Sequence, residues 1–438
     1  ADVFAEGQEM TAPLDALLKF IHTLEWIGVK DKAGKAALKV FFDGQFGDPL
    51  AIAMGKRDPR IKRDADKRFA EILEEARTLI AEENFLNWQV AFPGIWSDWE
   101  DDLLNGGFDA IVGNPPWDRI KLQQVEWFAA RRPEIARVQR ASDRKDLIAD
   151  LQKAGDPLAA EFEKANARAE TTSRMARRGG DYPLLSGGDT NFNSLFVERA
   201  RKIVAPGGIV GLLIPSGIAT ETSSQEFFSQ LIEGHAASCY FDFFNKRAAG
   251  PLFFPDVYYR FKFSVLVFSG GDKTFDQCRF ATFVRDIAEL KDSRKVFSMG
   301  VDHFKHVNPN SKTAPVYRAT RDREISTEIY DRFPVLVDRS SGDEVKAWPV
   351  QYATLYHMAN SSDQFRTAKE LHEKEGAWPE SGGVWGSSQG TWVPLYEGKM
   401  VQAFDHHAAS IVINPANQHR PAQPQPATLK QHRNPDWL

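Results

Sequence analysis

The tetrapeptide Asn114-Pro115-Pro116-Trp117 ends an apolar run, FDAIVGNPPWDRI (residues 108–120), and contains residue types suited to chemistry on an aromatic amine. Two prolines in a row remove two backbone donors and restrict the residue before each, so neither a helix nor an interior ladder continues through them. The strand must stop at a stiff corner. An exocyclic amine on a nucleobase delocalises its lone pair into the ring and stays a poor nucleophile until its hydrogens are held. The side-chain oxygen of Asn114 and the carbonyl of Pro115, fixed by the corner, are suited to accept those two hydrogens. Trp117 adds a flat face, and stacking a base on an aromatic ring is worth about 1–3 kcal/mol. That offsets part of the cost of turning a base out of a duplex. Phe254 in PLFFPDV, beside Pro255, is a second candidate ring.

Asn-Pro-Pro is also an ordinary turn signal, and a Trp beside Pro can simply plug a core. Position favours chemistry, because the corner comes directly after an apolar strand, and open α/β sheets bind ligands at the carboxyl ends of their strands. The elements needed to build such a sheet can be read along the chain. Residues 13–29 place Leu14, Leu17, Leu18, Ile21 and Leu24 on one helical face, with Pro13 as opener. A charged helix with one apolar stripe comes next over residues 57–85, then an aromatic stretch broken by Pro93 and Gly94. After the corner, residues 118–180 read as a polar, helical insertion whose start carries Arg131, Arg132, Arg137 and Arg140. The spacing predicts a helix over 192–204, a Pro-Gly-Gly turn and a strand over 209–214. SCYFDFFN and FKFSVLVFSGG then suggest a hairpin-like antiparallel edge. A composition shift places a boundary near 272, and beyond it lie a helix over 321–332, a Trp/Tyr/Gly-rich stretch and a Pro/Gln-rich end. The expected class is a doubly wound α/β sheet with a helical insertion and a second α+β domain.

The ordered set GGFDAIVGNPPW, TNFNSLFVERARKIVAPGGIVGLLIPSGIA and LFFPDV with FKFSVLVF resembles the catalytic part of the DNA adenine-N6 methyltransferases of the large type IIG restriction-modification and phage-defence kind, the Asn-Pro-Pro-Trp class. The match runs over residues 87–271, and WVPLYEGKMVQAFDHH is similar to the lead-in to their target-recognition region. The resemblance implies a Rossmann-like class I methyltransferase sheet and S-adenosylmethionine as donor. It implies that Asn114, Pro115, Pro116 and Trp117 form the catalytic corner, that Trp117 and Phe254 stack on the target adenine, and that Asn114, Pro116 and Phe196 line the donor site. It implies double-stranded DNA as partner, with defence-system proteins as further candidates, and no metal. The domains it suggests are a helical lead-in (1–84), the carboxyl-terminal part of the catalytic domain (85–271, insertion 118–180), the start of a target-recognition region (272–415) and a linker or frayed end (416–438).

In one respect the chain departs from that family. Nothing like Asp-Pro-x-x-Gly-x-Gly occurs within residues 1–108, where the family places its donor-binding loop. The first residue is Ala, so the expectation is a fragment whose donor loop lies upstream, one that alone binds S-adenosylmethionine weakly or not at all.

Composition narrows the alternatives. A net charge of -5 and a pI near 6.1 argue against a uniformly basic nucleic-acid coat, while permitting a local basic face. Cys239 comes after Ser and Cys278 after Gln, so neither offers the Pro-Cys nucleophile of a cytosine-C5 methyltransferase, and neither has zinc-ligand company. Sparse cysteine and no apolar run of about 18 residues lead to the expectation of a cytoplasmic protein with no membrane role. RNA or protein-glutamine amine methylation shares the same corner chemistry. A magnesium-dependent nuclease reading rests on Glu380, Glu397 and Lys399, and a non-enzymatic DNA-binding reading on the arginines of 131–140. Asp405, His406 and His407 are a weak metal candidate, because neighbouring side chains on a regular element diverge.

Overall fold

Long apolar side chains at helical spacing build the first layer. Helices α1 (Asp2–Ile27), α2 (Lys32–Phe42) and α3 (Lys67–Glu83) share a core of Phe20, Leu24, Phe41, Phe46, Phe69 and Ile72. The Phe69 ring stacks on Phe41 at 4.9 Å and on Phe46 at 4.8 Å. Asp31 starts α2 by accepting from the Gly34 N–H at 2.6 Å. Two expectations are corrected here. Pro13 lies inside α1 rather than opening it, and Leu14 and Ile21 are exposed. The buried face is set by Phe20, Thr23 and Leu24, because the Phe20 ring packs edge-on against Phe41 at 5.3 Å.

The computed structural model describes residues 2–61, 67–99, 105–138, 141–188, 190–357, 361, 364–413 and 422–434. They fall into two units, residues 1–123 with 156–348 and residues 124–155 with 349–438.

The first unit is centred on a mixed sheet of β1 (Phe108–Gly113), β2 (Val204–Pro215), β3 (Ala237–Phe244), β4 (Lys262–Ser269), β5 (Cys278–Val284) and β6 (Phe297–Met299). The six strands lie in the order β1-β2-β4-β3-β5-β6. The pairs β1/β2 and β3/β5 are parallel and the others antiparallel. The α/β class read from the sequence holds. The predicted strand over 209–214 is the inner part of β2, and the predicted helix over 192–204 is α6 below.

Alternation along the strands divides two cores. Val210, Leu212, Ile214, Tyr240, Leu266, Phe268 and Phe280 face one way, and Leu213, Phe243, Phe263, Val265 and Val284 the other. In the insertion, α4 (Ala141–Lys153) belongs to the second unit and α5 (Pro157–Arg178) to the first. Helices α6 (Phe192–Ile203), α7 (Gln225–Glu233) and α8 (Val301–Val307) cover the first face through Val197, Ala200, Phe227, Phe228, Leu231 and Phe304. The second face is completed by Trp117, Phe253, Phe254, Leu290 and Val296, which come from loops and a short 3-10 turn. Among the described residues, helices thus cover the first face and loops the second.

Two other expectations change. The SCYFDFFN and FKFSVLVF strands, β3 and β4, pair antiparallel as expected, but β4 is not an edge: it lies between β2 and β3 and pairs with both. The sheet also continues through β5 and β6, past residue 272. Helix α9 (Thr320–Arg332) lies close to where it was expected.

In the second unit, β7 (Trp378–Pro379), β8 (Trp385–Ser387) and β9 (Gly390–Trp392) form an antiparallel sheet. Residues 409–413 (β10) pair antiparallel with 422–426 (β11), so part of the expected frayed end is a strand. Its prolines, Pro424 and Pro426, are tolerated because a two-stranded ribbon leaves an edge free.

Candidate active site

The corner forms where β1 ends at Gly113. Pro115 is buried and Trp117 half-buried, whereas Asn114 and Pro116 are exposed. Three contacts pin Trp117 and the residues just after it. The Trp117 indole N–H donates to the Leu213 carbonyl of β2 at 3.4 Å. The Phe192 N–H donates to the Asp118 carbonyl at 3.0 Å, and the Ile120 N–H to the Thr190 carbonyl at 3.3 Å. The corner is thereby tied to β2 and to the start of α6. Among the described residues the Asn114 amide makes no side-chain hydrogen bond, so its acceptor and donors face solvent.

Trp117 is one wall of an aromatic group. Phe261 lies nearly parallel to it, with centroids 6.1 Å apart and planes at 20°, and Phe254 meets it edge-on at 6.2 Å and 69°. Phe254 is held by a residue that sequence reasoning missed. Asn245, at the end of β3 and fully buried, donates to the carbonyls of Phe254 at 2.9 Å and Val257 at 2.8 Å. Its side-chain oxygen accepts from the Phe254 N–H at 2.8 Å. The loop 246–261 is thus fastened at its middle by one side chain. The only sequence signal was an Asn directly after DFF, which reads as an ordinary strand end.

Phe196 sits one turn beyond Phe192 on α6, hence on the same helical face, and is 44% exposed. Phe192 packs with Ile120 just after the corner. Asn191 and Asn193 line a cavity of about 40 Å³ together with Pro215, Gly217 and Glu221, and Asn191 Oδ1 and Asn193 Nδ2 have no partner among the described residues. That volume suits ordered water rather than a base. Phe196 and Pro116 are each exposed apolar surface of the kind that an adenine ring packs against. β1 is an outer strand among the described residues, with Val112 88% exposed, and the larger cavities of about 780, 360 and 330 Å³ are lined by residues other than Asn114, Pro116 and Phe196. The described residues supply exposed apolar surface there, not an enclosing donor site.

The remaining candidates fall elsewhere. Lys399 is paired with Glu397 at 3.0 Å. The rings of His406 and His407 do not diverge but pack at 4.1 Å, because they lie in a turn rather than on a regular element, and His407 contacts the Tyr396 hydroxyl at 3.0 Å. Among the described residues, no group of three or more His, Cys, Asp or Glu is placed to hold a metal ion. Arg131 folds back over the Trp127 ring at 4.4 Å, Arg132 pairs with Glu134, and Arg140 lies outside the described residues. Burial pushes the Cys239 thiol up and the Cys278 thiol well above its ordinary value, which disfavours a thiolate at either position. No helix among the described residues is long and apolar enough to cross a membrane.

Residues 39–149, which include the corner, match the family model described as Eco57I restriction-modification methylase. No curated protein matches the chain. Among solved structures, the chain is similar to a type I restriction-modification system methyltransferase subunit from Streptococcus thermophilus, at 8% identity and a TM-score of 0.28, covering 59% of this chain and 47% of that one. It is also similar to the ATP-dependent type ISP restriction-modification enzyme LlaBIII bound to DNA, at 10% identity and a TM-score of 0.25, covering 61% of this chain and 14% of that one. The chain therefore spans less than half the length of either structure.

Proposed function

We propose that this chain carries the target-base side of a restriction-modification DNA methyltransferase that transfers a methyl group from S-adenosylmethionine to N6 of an adenine turned out of duplex DNA. One observation carries the reading: an exposed, unpartnered Asn114 amide is held by two prolines beside the half-buried Trp117 ring, at the carboxyl edge of a sheet. The match of residues 39–149 to a restriction-modification methylase family supports it. S-adenosylmethionine, when bound, supplies an electrophilic methyl group. The chain's own residues then do three things. Asn114 Oδ1 and the Pro115 carbonyl accept the two N6 hydrogens and draw the lone pair out of conjugation. Trp117 and Phe254 hold the ring of the base by stacking and edge contact. The rigid corner keeps these groups in one geometry, and such orientation is the largest contribution available without a covalent intermediate.

The test is incubation of the protein in its full-length form with S-adenosylmethionine and duplex oligonucleotides, with mass detection of modified nucleosides. N6-methyladenine that disappears in Asn114→Ala, with duplex binding retained, is the expected result. Methylated cytosine, RNA or protein glutamine in its place would overturn the assignment of substrate.

A further inference from the structure

The carboxyl rim of the sheet continues past the aromatic group and becomes basic. Strand register places the amino end of β4 on the same rim as the ends of β1 and β2, because Pro215 pairs with Phe263 and Gly113 with Leu212. It places the ends of β3 and β5 there as well, since Phe244 pairs with Lys262 and Phe243 with Val284. On this stretch of rim the Phe244 and Phe283 rings lie 5.6 Å apart. Lys262 sits between them, 5.8 Å from Phe244 and 4.8 Å from Phe283, with Arg285 5.3 Å over Phe244 and Arg318 5.2 Å over Phe283. Nearer the corner, on the loop that carries Phe254, the Tyr259 ring holds Lys246 at 5.8 Å and Arg260 at 5.4 Å.

Two cations of this group are neutralised inside the protein. Lys262 Nζ pairs with buried Asp242 at 2.7 Å, and Arg247 with Asp286 at 2.9 Å. Lys246, Arg260, Arg285 and Arg318 are exposed and have no ion-pair partner among the described residues. The loop 246–261 adds only Asp256 on the acidic side. Glu289 and Asp322 lie beside two of them, accepting from the Arg285 N–H at 3.1 Å and the Arg318 N–H at 2.9 Å, so the excess on this rim is smaller than four charges but stays positive in a chain with net charge -5. The backbone there is also strained. Phe283 is a non-glycine residue at φ 57°, at a register shift between β3 and β5 opposite Asp242, and its N–H reaches Asp242 Oδ2 at 3.3 Å. Such conformations persist where the surroundings enforce them and concentrate at functional sites.

The aromatic faces here are already occupied by the protein's own cations, so the rim presents positive charge rather than free rings for stacking. We propose that Lys246, Arg260, Arg285 and Arg318 form a ledge that binds the phosphodiester backbone of the duplex whose base enters the Asn114–Trp117 corner. This rests on the DNA reading given above. It assigns affinity and register to the ledge and base chemistry to the corner.

The test is the salt dependence of binding of a short fluorescent duplex, measured by anisotropy between about 50 and 200 mM salt. Each lost phosphate contact lowers the slope of log K against log salt by about 0.9. The variant K246Q/R260Q/R285Q/R318Q is expected to bind with a slope about 3 to 4 shallower and at least about tenfold more weakly. A charge-matched control at exposed lysines, K30Q/K32Q/K35Q/K39Q, is expected to match the wild type. If the ledge variant lowers the urea midpoint, the single variants R260Q and R318Q take its place, each expected to lower the slope by about 0.9. Wild-type binding with an unchanged slope in the ledge variants overturns the ledge alone and leaves the DNA reading standing. A wild-type protein that binds no duplex, or binds RNA in preference, overturns both.

Discussion

Replacing Asn245 by Ala removes one side chain that makes three hydrogen bonds to the loop bearing Phe254. All three partners are backbone groups, and Asn245 itself is fully buried. At a net worth of roughly 1 kcal/mol per bond, the loss comes to about 3 kcal/mol if the loop stays closed. If the loop opens instead, its backbone groups regain water but Phe253 and Phe254 leave the apolar group they complete. The backbone bond from the residue 245 N–H to the Phe261 carbonyl persists in either case, so that end of the loop stays anchored while its middle is freed. Urea unfolding is expected to show a loss of about 2–3 kcal/mol, and hydrogen exchange is expected to show the Phe254 and Val257 amides losing protection before the β3 and β4 ladder. Asn245→Asp sharpens the test. Its carboxylate would face two carbonyl oxygens, which raises its folded pKa, so the variant should be weakest near neutral pH and recover as pH falls through that pKa. Stability of Asn245→Ala within about 0.5 kcal/mol of wild type, with unchanged exchange at Phe254, would refute the view that this side chain positions the wall.

The same geometry sets other outcomes. Trp117→Ala should weaken binding of a duplex carrying 2-aminopurine at the target position by about 1–3 kcal/mol and reduce the fluorescence change that reports an extruded base, while Trp117→Phe retains part of both. Burial first, then the charge of Arg323 and the neighbouring His306, lowers His303 to about 4. An unfolded histidine takes up its proton near 6.5, so this contribution to stability is complete above that pH and is lost as pH falls toward about 4. The difference between wild type and His303→Gln in urea denaturation should change by on the order of 2 kcal/mol over that window. Cys278, buried and raised well above its ordinary value by that burial, should react with a thiol reagent only as fast as the protein opens, and its rapid native labelling would contradict the packing.

Local geometry was legible in the chain. Two adjacent prolines can only end a strand, so the corner and the residues in it were set by backbone sterics alone. The amphipathic helix over 192–204 and the apolar run after it were equally legible, because the 3.6 and 2 residue periods are properties of neighbours in sequence. The same reasoning failed where a partner distant in sequence decides. Leu14 and Ile21 are exposed on α1 because packing of Phe20 on Phe41, distant in sequence, sets which face is buried. β4 is central rather than an edge because β2, distant in sequence, pairs along the side that β3 leaves free. Asn245 and the cations of the rim gave no signal, since residues 245 and 254, or 262, 285 and 318, become neighbours only when the sheet register brings strand ends together. The sequence alone thus determined which residues form the corner. The tertiary structure decided which rings and charges surround them, because burial and electrostatics depend on distance in space, and one dimension does not contain it.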